Sequence, residues 1–221
     1  MTDAPRISTI RPLMPSSPIR AGARLPGIDG RRLRSERTRQ TIIEAYLALL
    51  RRRATVPTAA EIARAAGYSV RSIFERFADL NALTLATADF AIRQGQEETP
   101  ARDVGGDRAT RIRSHVQTRS AACEKWLPLW RVLVNTQQEV AELRQRIMVA
   151  RYGNIERMKM MYASELAGLD EGQRQQLLFA LATLVSFESW DQMRDCYGLS
   201  VEDSQAAWRA AIDRMLPPTP A

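Results

Sequence analysis

The sequence has few of the residues that most enzymes use for catalysis. It contains one histidine and two cysteines among 221 residues. It also lacks a glycine-rich phosphate loop, a serine-centred nucleophile elbow and any close spacing of metal ligands. General acid–base and nucleophilic mechanisms therefore have no evident residues to carry them. We predict no enzymatic activity, no bound metal and no cofactor.

Long apolar runs are also missing. No stretch approaches the roughly 20 residues that a membrane-spanning helix needs, and the N-terminal part lacks the short apolar segment of a secretory signal. We therefore expect a cytoplasmic protein that makes no membrane contact. Cys123 and Cys196 lie far apart in the sequence, so two reduced thiols are the favoured interpretation and a redox-sensing pair is the alternative.

Basic charge is concentrated at the N-terminal end of the chain. Residues 1–53 hold 12 of the 32 basic residues and 4 of the 25 acidic residues, a net charge of +8, which leaves −1 for the remainder. Residues 1–34 also contain five prolines, a composition that disfavours a packed core. We predict that residues 1–34 form a disordered basic arm. Contact with DNA phosphates and the absence of any role are both open interpretations of this arm.

The stretch from Thr58 to Phe77 has the pattern of a helix-turn-helix. Thr58 and Glu61 have the spacing of a capping box, in which a hydroxyl and a carboxylate each accept a hydrogen bond from the other residue's backbone amide. Gly67 favours the left-handed backbone that ends a helix, and Ser69 is a typical N-cap for the helix that follows. An amphipathic helix from Ser35 to about Arg53 precedes this motif.

Helical spacing of apolar residues continues as far as residue 216, and nothing in the chain has the pattern of a strand. We predict an all-α protein of about nine helices. After the motif, the predicted helices span residues 80–95, 107–123, 125–136, 138–164, 171–196 and 200–216. Pro128 is placed in the first turn of the helix that begins near residue 125, where a proline is tolerated.

Three segments carry a family resemblance: Ile42–Ala45, Glu61–Ser69, and Ser72–Phe77 followed by Leu83. In register, they resemble the DNA-binding module of the TetR/AcrR-type family of bacterial transcriptional regulators. This resemblance implies an all-helical homodimer that binds double-stranded DNA and carries a variable effector pocket in its C-terminal part. It also implies a dimer interface formed by the last two long helices, here about 171–196 and 200–216.

Together, the pattern and the resemblance define four predicted parts of the chain. They are the basic arm (1–34), a helix-turn-helix domain with its connecting helix (35–97), a helical ligand-binding and dimerisation domain (98–216) and a short tail (217–221).

The N-terminal end of the second helix in such a motif contacts base edges in the major groove. We predict that Arg71 contacts guanine, and that Val70 either contacts a thymine methyl group or extends the packed face. Hydroxyls and nearby amides of Thr58 and Ser72 are predicted to hold phosphates. The full predicted DNA-binding set is Arg39, Thr58, Ser69, Val70, Arg71, Ser72, Phe74 and Arg76.

Two positions differ from the family pattern. Phe74 stands where the family commonly has a tyrosine, and Leu80 stands where it commonly has a lysine; both family residues contact phosphates. An alternative function is therefore a helical homodimer that binds a ligand or a protein partner and has weak or lost DNA recognition.

The C-terminal part is rich in aromatic residues and methionine, which suit a partly apolar ligand. The predicted effector-pocket residues are His115, Trp126, Trp130, Met148, Tyr152, Phe187 and Glu188. Ordinary packing is the alternative for each of them. The favoured function is a sequence-specific transcriptional regulator, a repressor that a small-molecule effector releases from an inverted-repeat operator. The sequence leaves an activator open.

Overall fold

A computed structural model describes residues 28–53, 55–98, 100–138 and 140–220. The chain divides between Arg37 and Thr38 into two units, and the contacts given below lie within the second unit unless stated otherwise. The described ranges contain ten α-helices and one π-helical segment, and they contain no strand. The predicted all-α fold is confirmed.

The helices follow one another closely along the chain. They are α1 (Ile28–Arg52), α2 (Ala59–Ala66), α3 (Val70–Phe74), α4 (Leu80–Glu98), α5 (Arg108–Thr136), α6 (Ala141–Met161), α7 (Ala163–Leu166), α8 (Glu171–Leu184), α9 (Phe187–Asp191) and α10 (Val201–Met215). The π-helical segment Gln192–Cys196 lies between α9 and α10. The predicted boundary between the two helical domains falls at the end of α4.

The first helix begins earlier than predicted. α1 starts at Ile28 rather than Ser35, so the predicted disorder does not hold for residues 28–34. Within the first unit, Arg34 Nε donates a hydrogen bond to the carbonyl of Gly30, one turn earlier, at 3.1 Å. This part of the sequence contains no proline and several good helix formers, which explains the extension. The rest of the predicted arm, residues 1–27, lies outside the described ranges.

The fifth helix is longer than predicted. The pattern favoured two helices over 107–123 and 125–136, but α5 is continuous and contains Pro128 in its interior. Proline lacks the backbone N–H that would bond one turn back, so the helix loses one hydrogen bond there. Trp126, Leu129 and Trp130 are buried around this point. Burial of these large side chains offsets the lost hydrogen bond.

The long helix predicted over 171–196 is interrupted. α8 ends at Leu184, and Ser186 begins α9 as its N-cap by accepting a hydrogen bond from the Ser189 amide at 3.0 Å. A serine side chain that bonds to the backbone competes with the continuing helix, which explains the break. The helix predicted over 138–164 is likewise divided into α6 and α7.

The helix-turn-helix rests on a continuous hydrophobic core. Ile42 of α1, Ile62 of α2 and Ile73 of α3 are fully buried. The Tyr46 hydroxyl lies 3.1 Å from Thr84 Oγ1 and thereby joins α1 to α4. Burial raises the pKa of Tyr46, so the hydroxyl stays protonated. α1 and α4 thus hold the two short helices of the motif in place.

The C-terminal residues are held against the start of α5. Arg108 donates to Asp213 Oδ1 at 2.7 Å and to the Leu216 carbonyl at 3.0 Å. Deeper inside, Arg111 forms an ion pair with the fully buried Glu165, and the Thr219 hydroxyl donates to the same carboxylate at 2.5 Å. The predicted tail therefore has defined contacts as far as Thr219.

Three further observations concern membrane-spanning helices, metal-binding groups and the two thiols. No helix in the described part of the chain is long and apolar enough to cross a lipid bilayer. The same residues contain no group of three or more His, Cys, Asp or Glu side chains able to hold a metal ion. Cys123 is buried, and burial raises the pKa of its thiol to about 11. Cys196 is exposed.

Candidate functional site

The turn of the motif has the geometry that the sequence predicts. The Thr58 amide donates to Glu61 Oε2 at 2.9 Å, and the Glu61 amide donates to Thr58 Oγ1 at 3.3 Å, so the capping box is complete. These bonds, the backbone one first, lower the pKa of Glu61. Gly67 ends α2 with a left-handed φ of 73°, and Ser69 caps α3 by accepting from the Ser72 amide at 3.1 Å. The predicted helix-turn-helix is confirmed.

One face of α3 is exposed while the other is anchored in the core. The Arg71 side chain is 88% exposed, and Phe74 is 46% exposed. Val70 is also exposed, so the interpretation of Val70 as a packing residue does not hold. Ile73 and Phe77 are buried. The N-terminal turn of α3 is therefore exposed to solvent, while the buried side of the helix packs against the core.

Arg71 lies in a weak ion pair. Its Nε donates to Glu75 Oε1 at 3.0 Å, one turn along α3. Exposed pairs of this spacing contribute only about 0.3–0.5 kcal/mol. The Arg71 guanidinium can therefore exchange this carboxylate for another acceptor, such as a base edge, at small cost.

Two of the predicted DNA-binding arginines contact α3 and the residues that follow it. Arg39 Nη1 donates to the Arg76 carbonyl at 3.0 Å, and its guanidinium lies 4.4 Å from the centroid of the Phe77 ring. Arg76 Nη1 donates to the Ser72 carbonyl at 3.1 Å. These contacts fix the C-terminal end of α3. Both arginines therefore position the helix, whatever they contact beyond it.

The remaining predicted DNA-binding residues carry hydroxyl groups. The hydroxyls of Ser69 and Ser72 lie 2.9 Å apart. Thr58 is exposed at the start of α2. Tyr68 is exposed beside the α3 cap, and it is absent from the predicted set. Its position in the turn, directly before the capping serine, could have identified it as an exposed residue of the motif. Leu80 is half-buried and packs against the core.

Two of the cavities in the C-terminal part are lined by predicted pocket residues. The α8 cavity has a volume of about 490 Å³ and is bordered by α5, α6, α8 and α9. The α4 cavity has a volume of about 190 Å³ and is bordered mainly by α4, α5 and α6. They share the lining residues Arg119, Trp130, Ala150, Asn154 and Phe187. Trp130 and Phe187 stack with ring centroids 4.6 Å apart, so an aromatic pair forms part of the wall between the two cavities.

Most of the predicted pocket residues line one of these cavities. Trp126 lines the α4 cavity, Trp130 and Phe187 line both, and Met148, Tyr152 and Glu188 line the α8 cavity. His115 lines neither. It is only 1% exposed, and its Nδ1 lies 2.7 Å from the Tyr162 hydroxyl. Burial, aided by the charge of Arg119, lowers the pKa of His115 to about 3, so the imidazole is a neutral core group.

Glu188 is already paired inside the protein. Its Oε1 accepts from Arg151 at 2.8 Å and from Trp130 Nε1 at 3.1 Å. Partial burial alone would raise the pKa of Glu188, but its own backbone amide, Arg151 and Trp130 outweigh burial and lower it. The carboxylate therefore holds Trp130 in its stacked position.

Arg119 and Arg157 are absent from the predicted pocket residues. Arg119 lines both cavities and Arg157 lines the α4 cavity. In a chain with 32 basic residues, an arginine on a helix is usually a solvated side chain, and only the packing of α5 against α6 brings these two to a cavity wall.

The described residues thus combine a helix-turn-helix with a larger helical part. The chain matches a crystal structure described as a "putative TetR-family transcriptional regulator" from Rhodococcus sp., with a TM-score of 0.59 and 21% sequence identity. The match covers 81% of this chain and 98% of that chain. No protein-family model and no curated protein sequence matches the chain. The structural match confirms the predicted TetR-type fold.

Proposed function

We propose that this protein is a sequence-specific DNA-binding transcriptional regulator that acts as a cytoplasmic homodimer. The observation that carries the proposal is α3, whose N-terminal turn exposes Arg71 to solvent while Ile73 anchors its opposite face and Phe77 is buried shortly after its end. A rigid helix with an exposed N-terminal turn is the feature that helix-turn-helix proteins insert into the major groove. The TetR-type fold supports this interpretation.

The contacts to DNA are divided among the residues of α3 and of the helix caps. Arg71 reads a guanine through paired hydrogen bonds, and Val70 contacts a thymine methyl group. Ser69, Ser72 and Thr58 bind phosphates through hydroxyls and helix N-terminal amides. Without a hydroxyl, the exposed Phe74 ring offers only apolar contact.

The homodimer places two copies of α3 on one DNA duplex. We assign the interface to α8 and α10, which pack against each other within one chain and correspond to most of the predicted region 171–196 and 200–216. Phe179 on α8 is 48% exposed, an apolar surface that a second copy would cover. Two-fold symmetry of the dimer then requires an inverted repeat in the DNA.

A small-molecule effector acts through α4. This helix follows α3 in the chain, lines the α4 cavity and is tied to the C-terminal part by Arg146–Asp89 at 2.9 Å and by Lys125–Glu98 at 2.5 Å. An effector that binds more tightly to a second position of α4 shifts the spacing of the two α3 helices and weakens DNA binding. The protein is then a repressor that its effector releases.

The test is a gel-shift assay with the DNA that flanks the protein's own gene, at low salt and with random DNA as competitor. We expect selective binding that Arg71→Ala weakens by about 1–3 kcal/mol, with reduced sequence preference at one position. Arg144→Ala is the matched control, because Arg144 is exposed on α6 and far along the chain from the motif. Failure of the wild-type protein to bind any sequence selectively would overturn the proposal in favour of a dimer without DNA recognition.

A further inference from the structure

The wall of the α4 cavity carries charge of one sign. Its lining includes Arg119, Arg146 and Arg157, and no aspartate or glutamate of the described residues lines it. Arg146 is neutralised by Asp89, whose Oδ1 lies 2.9 Å from Arg146 Nε. No carboxylate of the described lining would therefore repel an anionic ligand.

Arg119 is held by neutral groups. Its Nε donates to the Val185 carbonyl at 2.7 Å, and its guanidinium lies 4.4 Å from the centroid of the Phe187 ring. The ion pairs found among the described residues do not include it. The position of Arg119 is thus fixed. No aspartate or glutamate of the described residues forms an ion pair with it.

Arg119 and Arg157 influence each other electrostatically. Burial lowers the pKa of Arg157, and the nearby charge of Arg119 lowers it further. Like charges repel each other more strongly in a partly buried site than in water, and an anion that contacts both guanidinium groups reduces that repulsion. Arginine suits this task because its planar group donates paired hydrogen bonds to carboxylates.

The remainder of the cavity is apolar and small. Ile92, Trp126, Leu129 and Leu133 contribute to its lining. Its volume of about 190 Å³ is below the roughly 300–1,000 Å³ of sites for drug-sized ligands. The space suits a compact apolar group attached to one anionic group.

We propose that the α4 cavity binds a small organic carboxylate, with the anionic group between Arg119 and Arg157 and the apolar part against Trp126 and Leu129. The proposal rests on the proposed function only in making this carboxylate the effector. Binding to the cavity itself requires no DNA.

The first experiment measures binding by thermal shift and titration calorimetry without DNA. The probes are benzoate, phenylacetate, hexanoate and octanoate, each paired with its neutral amide. We expect at least one carboxylate to stabilise the full-length protein with a saturable dependence on concentration, and its amide to bind at least about tenfold more weakly. Equal binding of carboxylates and amides, or no stabilisation by any carboxylate, would overturn the proposal.

The second experiment locates the site with variants. Arg157→Gln and Arg119→Gln should each weaken binding of the best carboxylate by about tenfold or more. Because Arg119 also contacts Val185 and Phe187, Arg157→Gln provides the result if Arg119→Gln fails to fold. Arg144→Gln is the matched control, since Arg144 is exposed on α6 and lines neither cavity. Full binding in Arg157→Gln, or an equal loss of binding in the control, would contradict the proposal.

The effector role is tested separately by DNA binding with and without the bound carboxylate. A carboxylate that binds as described and lowers DNA affinity supports both statements. If it binds as described and leaves DNA affinity unchanged, the site stands and the effector role fails. Absence of DNA binding in either condition would overturn the proposed function, while the variant series still decides on the site.

Discussion

The buried His115 predicts an unusual dependence of stability on pH. Its pKa falls from an ordinary value of 6.5 to about 3 in the folded protein, chiefly because of burial. Well above pH 6.5 the imidazole is neutral in both the folded and the unfolded chain, so His115 does not make stability depend on pH there. As the pH falls from 6.5 towards 3, the unfolded chain takes up a proton that the folded protein does not, and unfolding becomes more favourable.

The magnitude follows from the two pKa values. One proton of difference corresponds to about 1.4 kcal/mol per pH unit. Between pH 7.5 and pH 5.0 the free energy of unfolding should therefore fall by about 2 kcal/mol because of His115. Since this is the only histidine in the sequence, no other imidazole contributes in that interval.

The measurement is urea unfolding at several pH values for the wild-type protein and for His115→Asn. Asparagine places a polar atom near the position of Nδ1, where it can bond to Tyr162, but it does not titrate. We expect the variant to be less stable at pH 7.5 and to lose about 2 kcal/mol less than the wild type on acidification to pH 5.0. Parallel loss of stability in the two proteins would refute a neutral, buried His115.

Two further predictions concern groups outside the proposed binding sites. Cys196 should react with a thiol reagent in the native protein, whereas Cys123, whose pKa burial raises to about 11, should react only after denaturation; fast labelling of both would contradict the packing of α5. Replacing Glu165 with glutamine leaves the charge of Arg111 buried without its carboxylate, so the free energy of unfolding should fall by about 3–5 kcal/mol in urea titrations. A loss below about 1 kcal/mol would show that this pair is as solvated as a surface ion pair.

The sequence was sufficient for the helix-turn-helix because its determinants are local. The Thr58–Glu61 capping box, the left-handed Gly67 and the Ser69 cap each depend on residues within one turn of helix, and all three are confirmed. The exposure of Val70 depends on packing against other helices, so the pattern alone left two interpretations open.

Elements that depend on distant contacts were predicted less well. Pro128 favoured a helix start, but the burial of large side chains around it keeps α5 continuous. The serine cap at Ser186 divides a segment whose apolar spacing indicated one long helix. The arginines of the α4 cavity could not be selected from sequence, because Arg119 and Arg157 reach one cavity only through the packing of α5 and α6.

The central claim is that α3 reads a DNA sequence, and selection of bound fragments from random DNA tests it most directly. The full-length protein should enrich one sequence, an inverted repeat whose half-sites lie about one helical turn or a little more apart. The enriched DNA should bind Arg71→Ala less selectively than the wild type. Enrichment of no sequence, with binding that depends only on salt concentration, would contradict the account.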